Sequence, residues 1–168
     1  MIKAVFFDLF NTLITYQPAR EDIHQQALAA KGIRIERKTI SRAIKAGDEY
    51  FYSENSVSLV KNRPLREQNA VWYGYESAVL KKAGIDPDPE LIASILDRLK
   101  DIHYEMVLFD DVMPALQELK HMQLKLGIIS NIDRDIRPMC RDMGITPFLD
   151  IILTSLETGL FKPSPDIF

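Results

Sequence analysis

At 168 residues the chain suits one domain, or a small domain carrying an insert, and with 46% apolar residues it can bury a continuous core. Its net charge of −3, from 21 Lys and Arg against 24 Asp and Glu, argues against a broad nucleic-acid surface, which needs clustered cations to neutralise phosphates. A single cysteine, Cys140, excludes an internal disulfide and fits a reducing cytoplasm, with packing in a helix as the expected role of that thiol.

The chain opens with an apolar run, Ile2 to Phe7, broken only by Lys3. It is too short to span a membrane and lacks a small-residue cleavage site. It reads as a buried strand, central and covered on both faces as in a parallel α/β sheet. The run ends in Asp8-Leu9-Phe10-Asn11-Thr12, a polar loop of the kind that borders the ligand crevice beyond the carboxyl ends of parallel strands.

From about Arg20 to His103 helical spacing dominates and no strand is expected. Ile23, Ala27, Leu28 and Ala30 mark one helix closed by Gly32, and Ile40, Ile44, Tyr50 and Phe51 mark a second. Ala70, Val71, Tyr75, Val79 and Leu80 mark a third, closed by Gly84. Leu91, Ile92, Ile95, Leu96 and Leu99 mark a fourth, with Asp88 as cap and Pro89 in the first turn. The aromatic residues Phe51, Tyr52, Trp72, Tyr73 and Tyr75 recur at helical spacing, so most are expected in the core of this segment. Lys61, Arg63 and Arg66, interrupted by Pro64, read as a solvated loop. His24, His103 and His121 are scattered and form no metal-ligand pattern.

After Phe109 the α/β alternation returns. Asp110 or Asp111 is expected to cap a helix running to about His121, with Pro114 tolerated in its first turn. Leu126 to Ile129 reads as a second buried strand ending in Ser130-Asn131, and a helix follows over Ile136 to Met143, stopped by Gly144. Leu149 to Leu153 reads as a third strand ending in Thr154-Ser155. Lys162-Pro163 then precedes Ser164-Pro165-Asp166, a helix start. The expected architecture is a Rossmann-like, three-layer parallel sheet, incomplete, with an inserted four-helix cap: residues 1–16 and 106–168 form the core domain, and residues 17–105 the helical cap domain. An incomplete sheet leaves a strand edge with unpaired backbone donors and acceptors, an edge that could support a homodimer.

Polar groups follow three successive strands: Asp8 and Thr12, then Ser130 and Asn131, then Lys162. Parallel strand ends converge on one rim, so these groups can meet. They suit attack by a carboxylate on an electrophile. Asp8 is the candidate nucleophile. Lys162 would pair with it and neutralise charge developing on the transferred group. Ser130 and Asn131 would donate hydrogen bonds to that group's oxygens, and Thr12 would orient the loop. Taken singly each residue has a plainer role: Asp after a strand usually serves a turn, Ser-Asn is a common loop start, and a Lys before Pro is usually solvated.

FFDLFNTL resembles the first motif of the haloacid dehalogenase superfamily, LGIISN the second, and the lysine of GLFKPSPDIF the third. The helical segment is similar to the family's four-helix cap, so the resemblance covers the whole chain. It implies a hydrolase with a covalent intermediate on Asp8, Lys162 as its catalytic partner, and Mg²⁺ held by the Asp8 carboxylate, the Phe10 backbone carbonyl and a later acidic motif. The sequence departs from the family twice. Phosphatases of the family usually carry an Asp two residues after the nucleophile, as acid to the leaving alkoxide and later as base to water; here that position is Phe10, which suggests leaving groups that need no proton, such as aryl or acyl phosphates. The fourth, acidic motif is expected beyond Phe168, so the resemblance implies a chain truncated before it, with an incomplete Mg²⁺ site and poor activity alone.

The favoured expectation is phosphatase-type hydrolysis of a small phosphorylated metabolite. One alternative is a hydrolytic 2-haloacid dehalogenase, since halide leaves without a proton and Phe10 is compatible with that, although those enzymes carry Tyr there and a substrate-binding Arg for which Arg20 is a positional guess. The other is a non-catalytic fragment acting as an interaction module. The expected partner is a small-molecule substrate, with neither nucleic acid nor membrane.

Overall fold

The computed structural model describes residues 2–132 and 134–168. The chain divides into two compact units, Met1–Gln17 with Glu105–Phe168, and Pro18–Tyr104.

The first unit is an α/β layer built on a parallel sheet of three strands, β1 (Ala4–Phe7), β4 (Lys125–Ser130) and β5 (Ile151–Thr154), in the order β1-β4-β5. Val5 stands opposite Leu126 and Phe7 opposite Ile128, while Gly127 and Ile128 stand opposite Ile151 and Ile152. Alternation along the strands puts Val5, Phe7, Leu126, Ile128 and Ile152 on one side, where they join Val112 and Leu116 of α5 (Val112–His121) and Ile136 and Cys140 near α6 (Arg137–Asp142) in one apolar cluster.

The unpaired strand edge expected of an incomplete sheet falls at β1, while the expectation that both faces of this strand are covered is corrected. β4 is central, and β1 lies at an edge with Phe6 49% exposed and Ile2 exposed. The reason is geometric: β1 bonds only to β4, and its Ala4 and Phe6 side chains point away from the face that carries the apolar cluster. Gly127 lies between β1 and β5, where an added Cβ would come within 2.6 Å of the Phe6 ring and 2.7 Å of Ile151.

Two short strands were not foreseen. β2 (Ile14–Gln17) and β3 (Glu105–Leu108) pair antiparallel from Ile14 with Leu108 to Gln17 with Glu105, closing the unit where the chain leaves it and returns. At four residues each, ITYQ and EMVL are too short to show a period, and only pairing across the intervening helices defines them. The capping expected of Asp110 or Asp111 is also corrected. Asp111 occupies the N-cap of α5 in a helical conformation and its side chain accepts no first-turn hydrogen bond; the Val112 N–H instead donates to the Phe109 carbonyl at 3.1 Å. The helix expected after Lys162 is a 3₁₀ turn, Pro165–Ile167, capped by the Ser164 hydroxyl.

The second unit is four helices, α1 (Arg20–Ala29), α2 (Arg37–Val57), α3 (Leu65–Ala83) and α4 (Pro89–Asp101). Leu28, Ile40, Ile44, Val79, Leu80, Ile92 and Ile95 fill its core. The expected signals operate at α4, where Asp88 accepts from the Leu91 N–H at 3.0 Å, and at the end of α3, where Gly84 takes φ +79°. α2 and α3 approach closely because Gly47 sits against Tyr75 and Val79, and Gly74 against the Tyr50 ring.

Two expectations for this unit are corrected. Only Tyr75 of the five aromatic residues is fully buried; Tyr52, Trp72 and Tyr73 are exposed, with Trp72 stacked on Phe51 at 5.1 Å between centroids. Arg63, read as solvated, is largely buried and donates to the Glu54 carboxylate at 2.7 Å and the Ser58 hydroxyl at 2.9 Å.

Candidate functional site

The rim of the first unit is shaped by hydrogen bonds beyond the strand ends. After β1, the Leu13 and Ile14 N–H groups both donate to the Leu9 carbonyl, at 2.9 and 3.1 Å, and Asn11 takes φ +56°, a conformation Asn tolerates better than other non-glycine residues. This tight turn buries Leu9 and leaves Asp8 exposed at the tip of the strand. Phe10 turns the other way, half-buried against the core cluster.

Lys162, far along the chain, reaches this tip. Its ammonium donates to Asp8 Oδ1 at 2.6 Å and to the Ile129 carbonyl at 2.8 Å, leaving a third proton for another acceptor. The ion pair is partly exposed, so screening by water limits what it adds to stability. Its value is positional: Asp8 Oδ1 is occupied, and among the described residues no side chain bonds Oδ2.

Asn131 acts on the same residue differently from the sequence expectation. Its Nδ2 donates to the Lys162 carbonyl at 2.8 Å, and its Oδ1 accepts from the Lys162 N–H at 2.7 Å. Both ends of the amide thus clamp one peptide segment, and the group expected to face a substrate oxygen holds the lysine loop instead.

Ser130, the last residue of β4, is 2% exposed and shares the alternation of Leu126 and Ile128, while its carbonyl accepts from the Ile132 N–H at 3.0 Å. Thr12 is exposed and borders a shallow groove with Phe7, Leu13, Asp111, Val112, Ala115 and Leu116. The structure therefore brings Asp8, Asn131 and Lys162 into one bonded group, with Ser130 adjoining it in sequence and Thr12 on the preceding turn.

Two contributors had no role in the sequence reading. The Ile129 carbonyl anchors the ammonium, and Ser155 at the end of β5 donates its hydroxyl to the Ile132 carbonyl at 2.9 Å, tying down the loop that carries Asn131. The Thr154-Ser155 strand ending was the available signal for the second; a backbone carbonyl leaves none.

The acids after β4 divide. Asp133 lies outside the described residues. The Asp135 carboxyl is held below the usual range, first by the Arg137 N–H at 3.0 Å and then by the Arg137 guanidinium. Among the described residues no group of three or more His, Cys, Asp or Glu side chains could hold a metal ion, and no helix is long and apolar enough to cross a membrane. In the helical unit Arg20 donates from both terminal nitrogens to the Asp48 carboxylate, at 3.0 and 2.6 Å, and to the Tyr75 hydroxyl at 2.7 Å. Burial works against that charge, but the Asp48 and Tyr75 contacts prevail and raise the guanidinium pKa.

A family model described as haloacid dehalogenase-like hydrolase matches residues 2–168. The chain is 28% identical over 171 residues to a glyceraldehyde 3-phosphate phosphatase of Methanopyrus kandleri, covering 100% of this chain and 68% of that protein. It is 27% identical over 177 residues to a ribulose-1,5-bisphosphate 5-phosphatase of Halopiger xanaduensis, covering 100% of this chain and 69% of that one. Among solved structures, the HAD-hydrolase YfnB from Bacillus subtilis bound to magnesium superposes with a TM-score of 0.54 at 20% identity, over 99% of this chain and 69% of that one. The L-2-haloacid dehalogenase RSc1362 gives 0.57 at 17% identity, over the same shares. The three motifs, the parallel sheet that gathers them and the match along almost the whole length agree, and the chain belongs to the haloacid dehalogenase-like hydrolases.

Proposed function

We propose that this hydrolase removes the phosphoryl group of a small phosphorylated metabolite through a covalent intermediate on Asp8. The observation that carries the reading is the Asp8–Lys162 pair, 2.6 Å apart at the tip of the first strand. Curated relatives at 27–28% identity that are named as phosphatases support it.

The chemistry follows from the geometry. Lys162 fixes Oδ1 and leaves Oδ2 to attack phosphorus, and its remaining proton faces charge that develops on the phosphoryl oxygens. Ile129 and the Asn131 clamp fix the position of that ammonium. Thr12 and Ser130 border the phosphoryl site in this reading.

Mg²⁺ is the cofactor in this reading, and when bound it would shield the phosphoryl charge. Of the ligands implied by the family, the chain supplies the Asp8 carboxylate and the Phe10 carbonyl, short of the near-octahedral oxygen set that Mg²⁺ prefers. These residues alone do not complete a metal site.

The dehalogenase alternative has less support, because the curated relatives at 27–28% identity are named as phosphatases and Arg20 is engaged by Asp48 and Tyr75. The test is phosphate release from a panel of phosphomonoesters with millimolar Mg²⁺, comparing wild type with Asp8→Asn. Turnover lost in the variant is expected; equal rates in the two proteins would reject Asp8 as nucleophile.

A further inference from the structure

Independently of the phosphatase reading, we infer that the helical unit carries a proton-operated lock: His24 and Glu76 hold one proton between them, and its loss in alkali loosens α1 from α3. The observation is a buried pair. Glu76 is 0% exposed and His24 6%, and His24 Nε2 stands 3.5 Å from Glu76 Oε2. Among the described residues, neither Glu76 oxygen has a hydrogen-bond partner, nor has His24 Nε2. The charged groups nearby are committed elsewhere. On α1, the Arg20 guanidinium is bidentate on Asp48 of α2, which offsets its charge, and meets the Tyr75 hydroxyl. Glu21 and Asp22, at the start of α1, face Arg37 of α2. Tyr75 on α3 stays neutral, since burial raises its pKa. The remaining inward residues of α2 and α4 are apolar, among them Ile40, Ile44, Ile92 and Ile95, while Asp97, Arg98 and Lys100 of α4 are exposed.

A carboxylate anion enclosed without a donor is the least favourable state of this pair, because nothing replaces its hydration. One proton makes the pair neutral, as imidazolium with carboxylate or as imidazole with carboxylic acid, and in either form the proton belongs to the pair. In the unfolded chain, above the ordinary His pKa of about 6.5, the ring is neutral and the carboxylate charged, so the same two groups hold one proton fewer. Folding then takes up a proton. Stability falls as pH rises through that range, and the unfolded-to-folded ratio grows about tenfold per pH unit until the folded pair itself gives up the proton. Once it does, an enclosed anion remains, and water admitted between α1 and α3 relieves it. Below the ordinary Glu pKa of about 4.3 the sign reverses, because the unfolded groups gain a second proton that the neutral folded pair does not take. The lock therefore holds best in mildly acidic solution.

The test is urea unfolding of the full chain between about pH 6.5 and about pH 8.5. It is followed by the fluorescence of Trp72, the one tryptophan of the sequence and a residue of α3, so the signal reports on the helical unit. Wild type is compared with Glu76→Gln, which keeps the shape of the side chain and cannot ionise. Cys140, whose buried thiol is pushed up, is common to both proteins and cancels, as do the exposed His103 and His121. The expected result is a wild-type unfolding constant that climbs about tenfold per pH unit relative to the variant. Parallel curves, or a wild-type constant that falls with pH, would overturn the lock. Should Glu76→Gln fail to fold, the wild-type protein decides alone at about pH 8. Nitrogen-15 NMR reads the His24 ring, assigned by removing His103 and His121, and infrared spectra with carbon-13-labelled Glu read the carboxyl. An imidazolium at His24 or a neutral carboxylic acid among the glutamates is expected. A neutral ring with every glutamate ionised would reject the shared proton.

Discussion

Replacing Asn131 by Ala tests whether its side chain holds Lys162 or awaits a substrate. In the structure both polar ends of the amide are used, at 2.8 and 2.7 Å, on the backbone of a residue 31 positions away. A net hydrogen bond is worth about 1 kcal/mol, so losing two partly exposed ones should cost about 2 kcal/mol. The loss is local: it frees the segment carrying Lys162, and a shift of the ammonium by about 1 Å would slow phosphoryl transfer by roughly 10²-fold. Asn131→Asp should do no better. It keeps the acceptor for the Lys162 N–H but sets a second oxygen against the Lys162 carbonyl. Urea unfolding gives the stability term, and kcat and KM for p-nitrophenyl phosphate give the chemical one. A drop in both stability and kcat is expected for each variant. If Asn131→Ala kept wild-type stability and kcat and raised only KM, the clamp would be irrelevant and the amide would serve as a substrate ligand.

Other consequences are equally direct. In α1 and α3 His24 and Glu76 are buried; His24 Nδ1 lies 3.0 Å from the Arg20 carbonyl, Nε2 stands 3.5 Å from the Glu76 carboxylate, and neither carboxylate oxygen has a hydrogen-bond partner. Glu76→Gln removes a buried carboxylate that no hydrogen bond satisfies and should raise stability by about 1–3 kcal/mol in urea unfolding; a loss of stability would mean that the carboxylate is well partnered. Gly47→Ala drives a methyl to 2.7 Å from Val79 and 2.8 Å from the Tyr75 ring, both buried, and should cost about 1–3 kcal/mol, whereas an unchanged melt would show that α2 and α3 can separate without strain. Asp150 accepts from Lys120, the Leu126 N–H and Lys125, which hold its carboxyl far below the usual carboxylate range. Its folded pKa is depressed, so its contribution is present above the ordinary Asp pKa of about 3.9 and is lost as pH falls toward the folded value; Asp150→Asn should flatten the acid limb of a stability–pH curve, and an identical limb would remove Asp150 from the account.

The fold was legible where a period or a cap was long enough to read. The four helices of the second unit each span at least two turns, and Asp88 and Gly84 mark boundaries through local backbone chemistry. β4 was legible as a run of buried residues. β2 and β3 were not, because four residues carry no period and their pairing partner lies beyond the helical unit. The exposed face of β1 was not legible either, because a covered and an uncovered strand can share one sequence pattern; exposure depends on what else packs there. At the candidate site the side chains that meet through strand order, Asp8 and Lys162, were readable from topology alone. Which way Asn131 points, and that the Ile129 carbonyl receives the ammonium, depend on rotamers and loop paths that residue types do not encode.

The most direct test of Asp8 as the phosphoryl acceptor is fluorine-19 NMR of the chain with beryllofluoride and Mg²⁺, since trifluoroberyllate bonds to a carboxylate as a phosphoryl group does. Bound resonances in the wild-type protein that vanish in Asp8→Asn and shift in Lys162→Met are expected. Bound resonances unchanged by either substitution would place the acceptor elsewhere and contradict the account.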